Sequence, residues 1–221
     1  MRRKGKMKIN ITNINLDPAT GGGGNSGEGK IRLPNGITLK DSTFTEFDMG
    51  QHDWGCVYDW GYMFSNCTKL TEVKNWPAEI NSLNCRNMFF NCPSLVTAPA
   101  VNTSECVDMN NMFLDANKLE SVPYYNTSKV KNFESMLGNC FNLSSTSEFD
   151  LSSATTTKNM FANCCKLTYV QFRGNPVNLT NTYSMFGGIT KTGRMFYPAE
   201  YAENYQIIID QLPSTWTAIA Y

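Results

Sequence analysis

Hydrophobic positions along this chain return with a fixed period. The phrase M-F-x-N-C-x-x-L, or a close variant, is anchored at Met63-Phe64, Met88-Phe89, Met112-Phe113, Met136-Leu137, Met160-Phe161 and Met185-Phe186, at intervals of 25, 24, 24, 24 and 25 residues. So regular a period predicts stacked supersecondary units whose core runs along an axis. With the Met as position zero, the mainly apolar positions −3, 0, +1 and +4 read as one helical stripe. Position −3 holds Trp60, Cys85, Met109, Phe133, Thr157 and Thr182; position +4 holds Cys67, Cys92, Ala116, Cys140, Cys164 and Ile189. Position −4, with Asp59, Asn84, Asp108, Asn132, Thr156 and Asn181, reads as an N-cap column, because each side chain can accept a bond from an orphan amide. The pattern therefore predicts a helix of about two turns per unit, too short to stand alone and stabilised by burying its stripe.

A second apolar pair follows at +7 and +10: Leu70/Val73, Leu95/Ala98, Leu119/Val122, Leu143/Thr146 and Leu167/Val170. It predicts a short strand, closed off by Pro77, Pro99 and Pro123. The expected fold class is an α/β solenoid on the leucine-rich-repeat plan, with about six units of 24 to 25 residues and one short helix plus one short parallel strand in each. Strands stacked at about 4.8 Å would form a parallel sheet roughly 25 Å long.

The phrases YMFSNCTKLTEV, NMFFNCPSL, NMFLDANKLESVP and NMFANCCKLTYVQF, with NTS leading into the next unit at Asn102 and Asn126, resemble the BspA-like leucine-rich-repeat family of bacterial surface proteins. The likeness covers about residues 53 to 221, since the closing GRMFYPAEY and LPSTWTAIAY also resemble the usual end of such proteins. It implies adhesion or other protein-protein contact, and similar repeats occur in phages of gut anaerobes. Unit four departs from the pattern with Leu137 and Thr146, which predicts a locally looser coil.

Outside the solenoid, taken as residues 53 to 190, two caps are expected, because end coils would otherwise expose core and strand edge. Residues 30 to 52 read as a front cap, with a hairpin turning at Asn35-Gly36. Residues 191 to 221 read as the rear cap: an extended Arg194 to Tyr197, then Tyr205, Ile208, Ile209 and Leu212 at helical spacing, and a closing strand from Thr215. Residues 1 to 29 read as a basic arm with strand-like alternation in KINITNINL and a Gly-rich tether at Gly21 to Gly24, suited to adding a strand to a sheet edge on another protein, with a disordered tail as the alternative.

Composition narrows the function. Among 221 residues, 19 basic and 19 acidic ones give zero net charge, which disfavours general nucleic-acid binding. No apolar run is long enough to predict a membrane span, and the start lacks the continuous apolar core of a signal peptide. Of the eight cysteines, Cys67, Cys92, Cys140 and Cys164 share the +4 column, while Cys85 and Cys106 fall at other inward positions, so free buried thiols are expected over disulfides or a metal site. Cys56 and Cys165 lie off these columns. The single histidine, His52, has no visible catalytic company, so no enzyme activity and no cofactor are expected.

Positions +9 and +11 should project from the strand face, giving the columns Glu72, Thr97, Ser121, Ser145, Tyr169 and Lys74, Pro99, Pro123, Ser147, Gln171. The candidate contact residues are Glu72, Lys74, Trp76, Tyr124, Tyr125, Tyr169, Gln171 and Arg173, several of types that dominate interfaces. The expected role is a phage virion component displayed for host or mucosal attachment. It would meet a protein or glycan ligand, and its arm would contact other virion proteins or further copies of itself. The alternative is a bacterial cell-surface adhesin.

Overall fold

The computed structural model describes residues 31–32, 38–54, 57–77 and 82–221, and these form a parallel β-solenoid of about 7 turns. The expected Asn35-Gly36 turn, the 1 to 29 arm and Cys56 lie outside the described residues. A helix in each unit is not found. The residues at −1 and +3 instead take positive φ: Asn87 and Asn91 at 54° and 53°, Asn111 and Asp115 at 53° and 66°, Asn159 and Asn163 at 54° and 61°. A left-handed residue every fourth position ends any α-helix, and Asn and Asp are the non-glycine residues that tolerate it best.

The hydrogen bonds show what replaces the helix. Amides at −3, −1, +1 and +3 donate sideways to the next coil, as in Cys85 N to Asp108 O (3.0 Å), Asn87 N to Asn110 O (2.9 Å), Phe89 N to Met112 O (2.8 Å) and Asn91 N to Leu114 O (2.8 Å). Intervening amides close tight turns, such as Met88 N to Cys85 O at 3.1 Å and Phe90 N to Asn87 O at 3.1 Å. The expected N-cap column keeps its chemistry in this setting. Asp59, Asn84, Asp108 and Asn132 each accept the amide two residues on, at 2.8 to 3.0 Å, and so begin a turn instead of a helix. The positive φ at −1 then prevents the helix from continuing.

The inward stripe survives this correction. All six Met anchors, Phe64, Phe89, Phe113, Leu137 and Phe161, and the Leu residues at +7 are fully buried. Phe64, Phe89 and Phe113 stack at 5.2 and 5.4 Å with planes within 5° and 2°, a spacing set by the distance between coils. Leu137 interrupts the stack. Tyr125 fills in beside Phe113 at 6.3 Å, and Phe149 lies against Phe161 at 6.0 Å.

Short parallel strands line another side of the coil. Strands β1 (Ile31–Arg32) and β3 (His52–Asp53) pair with each other, and β2 (Glu46–Asp48) pairs with β4 (Glu72–Lys74). At the far end, β5 (Ser145–Asp150), β6 (Tyr169–Arg173), β7 (Gly193–Tyr197) and β8 (Trp216–Ala220) form one sheet in that order, with helix α1 (Ala202–Ile209) between β7 and β8. The described part of the front stretch pairs in parallel, and Leu39 N bonds Met63 O at 2.6 Å, so residues 39–48 are a coil stacked on the first Met unit. Helix α1 buries Tyr205 and Ile208. The Tyr205 hydroxyl donates to the carbonyls of Arg173 and Gly174 at 3.1 and 3.0 Å, which ties α1 to the last coils.

Candidate functional site

The strand face sorts the expected contact residues into three groups. Trp76 and Tyr125 belong to the core, not to a contact surface. Tyr125 is 1 % exposed and its hydroxyl donates to Pro99 O at 2.8 Å; Trp76 is half-buried against Trp60 at 4.9 Å and near Phe64 and Phe89. Trp76 follows Asn75, whose φ is 53°, and both rings lie inward against the Phe stack, a direction that column counting does not show.

Glu72 and Lys74 sit at the front end. The Lys74 ammonium pairs with Glu46 at 2.7 Å and Glu72 at 2.9 Å, and these two carboxylates push its pKa up to about 12. This is a satisfied surface ion pair between adjacent coils, not a free charge.

Tyr124, Tyr169, Gln171 and Arg173 come together at the other end. Arg173 is held at ion-pair distance, 3.5 Å, from both Glu148 and Asp150, and its terminal nitrogen donates to the Tyr124 hydroxyl at 3.0 Å, 49 residues away in sequence. Its Nε is buried without a hydrogen bond, so the two carboxylates hold it by charge alone. Tyr124 is about half exposed. Tyr169 donates to Gln171 Oε1 at 2.6 Å and packs on Phe196 at 5.3 Å, while the register places Gln171 beside Phe196 and Phe196 beside Ile219. Tyr221, also exposed, donates to Phe172 O at 3.0 Å.

A bulge in β5 corrects one column. Ser145 is opposite Tyr169 as expected, but Glu148, not Ser147, is opposite Gln171. One extra residue in the strand shifts the later side chains, and that shift brings Glu148 to Arg173. Phe196 and Arg194 were legible: continuing the +11 and +9 columns to unit six reaches them directly.

A concavity of about 390 Å³ lies on the turn side over coils three to six, with Leu114, Gly138, Ala162 and Gly187 in its lining. Its walls carry the +3 column, an Asn ladder that the expected pattern did not use. Asn163 donates to Asn139 Oδ1 at 2.8 Å and Asn139 to Asp115 Oδ1 at 2.7 Å; at the front, Asn91 donates to Asn66 and Asn66 to Asp41, both at 3.0 Å. An ionised Asp only accepts, so Asp41 and Asp115 each terminate a ladder. These groups serve the fold.

The core thiols are likewise structural. Cys67, Cys92, Cys140 and Cys164 each donate to a carbonyl of the preceding coil, at 3.2, 3.0, 3.3 and 3.1 Å. Burial pushes the Cys67 thiol up to about 12 and raises the other three as well, so all four stay protonated and unreactive at neutral pH. Cys85 and Cys106 are buried neighbours; burial raises Cys85, and its hydrogen bond holds Cys106 down. Cys165 is exposed. Among the described residues no group of three or more His, Cys, Asp or Glu is placed to hold a metal, and no helix is long and apolar enough to cross a membrane.

No curated protein and no solved structure matches the chain. The model of the repeat family described as "Mycoplasma protein of unknown function, DUF285", which is related to the BspA-like surface repeats, matches it at residues 37–98, 58–171 and 83–200. These overlapping matches span most of the solenoid, and the chain belongs to this family.

Proposed function

We propose that the chain is a non-catalytic recognition solenoid that meets a protein or glycan ligand through the outer face of β5 to β8. The observation that supports this reading most is the uneven strand face. Its middle offers the small Thr97, Ser121, Pro99 and Pro123, whereas its far end gathers Tyr124, Tyr169, Phe196, Ile219 and Tyr221 around Arg173, Gln171 and Glu148. Aromatic rings beside a positioned guanidinium are what interfaces use as anchors. Aromatic faces and planar amides suit sugar rings equally.

For its setting we propose a phage particle, on which the chain is displayed for host or mucosal attachment with residues 1 to 29 serving assembly. The resemblance to bacterial surface repeats supports the second setting, a bacterial cell surface. The test is direct. Full-length protein should bind host envelope or mucin preparations, and Tyr169→Ala with Phe196→Ala should reduce binding at least tenfold while leaving the fold intact. Antibody labelling of purified particles and of intact cells separates the two settings. Undiminished binding by the double variant would sink the assignment of this face.

A further inference from the structure

Among the described residues, no strand pairs with the outer edge of β8. Tyr221 N bonds Tyr197 O at 3.0 Å, Ala199 N bonds Tyr221 O at 2.9 Å and Gly193 N bonds Thr215 O at 3.4 Å, so residues 215, 217, 219 and 221 turn their backbone groups toward β7. Because parallel strands alternate, Trp216, Ala218 and Ala220 turn theirs to the open side. Apart from Trp216 N, which bonds Pro213 O at 2.8 Å, these groups have no partner among the described residues. Natural edge strands are usually protected by a charge, a proline or a bulge. The sequence TWTAIAY from Thr215 to Tyr221 contains none of these, whereas β5, β6 and β7 all carry charged residues.

We propose that this edge is completed by residues 8–16 of a second copy of the chain, adding as a further strand through backbone bonds to Ala218 and Ala220. The segment KINITNINL sets Ile9 and Ile11 against Asn10 and Thr12, the alternation a half-buried strand needs, and its Lys8 brings the charge that β8 lacks. Distance favours a second copy over the chain's own segment. Residue 31 is at the front coil, and about 7 stacked turns at 4.8 Å separate it from β8 by roughly 34 Å. The linker from Asp17 to Lys30 reaches roughly 46 Å only when fully drawn out, so an intrachain strand would need most of that extension. Contact between copies demands none of it. Such a contact is heterologous, so it builds rings or rows of solenoids that present many recognition faces together.

The experiment uses the full-length chain, a form lacking residues 1–16, and Ala220→Pro, whose ring removes an outward amide without touching the β7 ladder. Light scattering across a concentration series should show full-length assemblies dissociating on dilution, with both altered forms monomeric and unchanged in circular dichroism and melting. A synthetic peptide of residues 7–16 should bind the truncated chain and not its Ala220→Pro counterpart. Hydrogen exchange at Ala218 and Ala220 should be slow in full-length assemblies and fast in the truncated form. A full-length chain that is monomeric at all concentrations overturns the proposal; if its edge amides are nevertheless protected, the occupant is its own segment. Assembly that persists without residues 1–16 overturns it equally. Recognition by β5 to β8 is scored separately, since truncation should leave binding per chain unaltered.

Discussion

Phe113 lies stacked on Phe89 at 5.4 Å, beside Tyr125, with no exposed surface. Phe113→Ala should cost about 3 to 5 kcal/mol, because the rings above and below are fixed by their own coils and cannot collapse into the gap. Denaturant unfolding measures this; a loss under about 1 kcal/mol would show that the stack does not hold the core. Asn139 is a different kind of residue, needed for its backbone. At φ 59° an alanine is strained by roughly 1 to 2 kcal/mol, and the Asp115 and Asn163 bonds go as well. Asn139→Gly removes only the bonds, so it should unfold at higher denaturant than Asn139→Ala. The reverse order would mean that the ladder, not the left-handed turn, selects Asn. The core thiols add a pH signature. Cys67 titrates near 9 when unfolded and near 12 when folded, so its contribution is complete below pH 9 and is lost as pH rises from there toward 12. Cys92, Cys140 and Cys164 act in the same direction, with the raised phenols of Tyr125 and Tyr205 adding to it from about pH 10. Denaturation midpoints should thus be flat from pH 7 to 8.5 and fall steeply above 9, and Cys67→Ala should shallow that fall.

At the scale of elements, burial was legible and backbone path was not. Apolar groups at −3, 0, +1 and +4 fit a helix, yet they fit equally a chain of tight turns whose alternate amides point to the next coil. The periodicity reports only which side chains face inward. The deciding signal was in the polar positions. Asn or Asp at +3 in five of the six units, with Asn87, Asn111 and Asn159 also at −1, marks left-handed residues four apart, a spacing no helix tolerates. Reading −4 as caps and leaving +3 unread favoured the helix. The strands were legible in part: β4, β6 and β7 fall on the expected columns, but units two and three carry only the isolated bridge between Thr97 and Ser121 where strands were expected, and the β5 bulge escaped because an added residue in one coil leaves the Met spacing at 24. Circular dichroism separates the two architectures. With α1 limited to eight residues, the 222 nm signal should be weak; a strong helical minimum would restore a helix to every unit.

Across the whole molecule, each coil touches chiefly its neighbours, so damage is local and the two ends are chemically independent. The candidate contacts were partly legible for that reason: Tyr169, Gln171 and Arg173 share one strand, but Tyr124 reaches Arg173 only because stacking cancels 49 residues of separation. The Arg173 cluster could be a recognition element or merely a staple joining three coils, and energetics distinguishes them. Arg173 and Glu148 are each more than a third exposed, so their ion pair should add no more than about 1 kcal/mol to stability. Its stronger effect should be to fix the guanidinium beside Tyr124, with the conformational cost of ordering already met before a ligand arrives. Arg173→Gln should accordingly shift the denaturation midpoint little and weaken ligand attachment about tenfold, equivalent to roughly 1.4 kcal/mol. Glu148→Gln should weaken attachment less, because Asp150 still restrains the guanidinium at 3.5 Å. If Arg173→Gln costs several kcal/mol of stability and leaves attachment intact, the cluster is a staple, and the ligand meets another part of the solenoid.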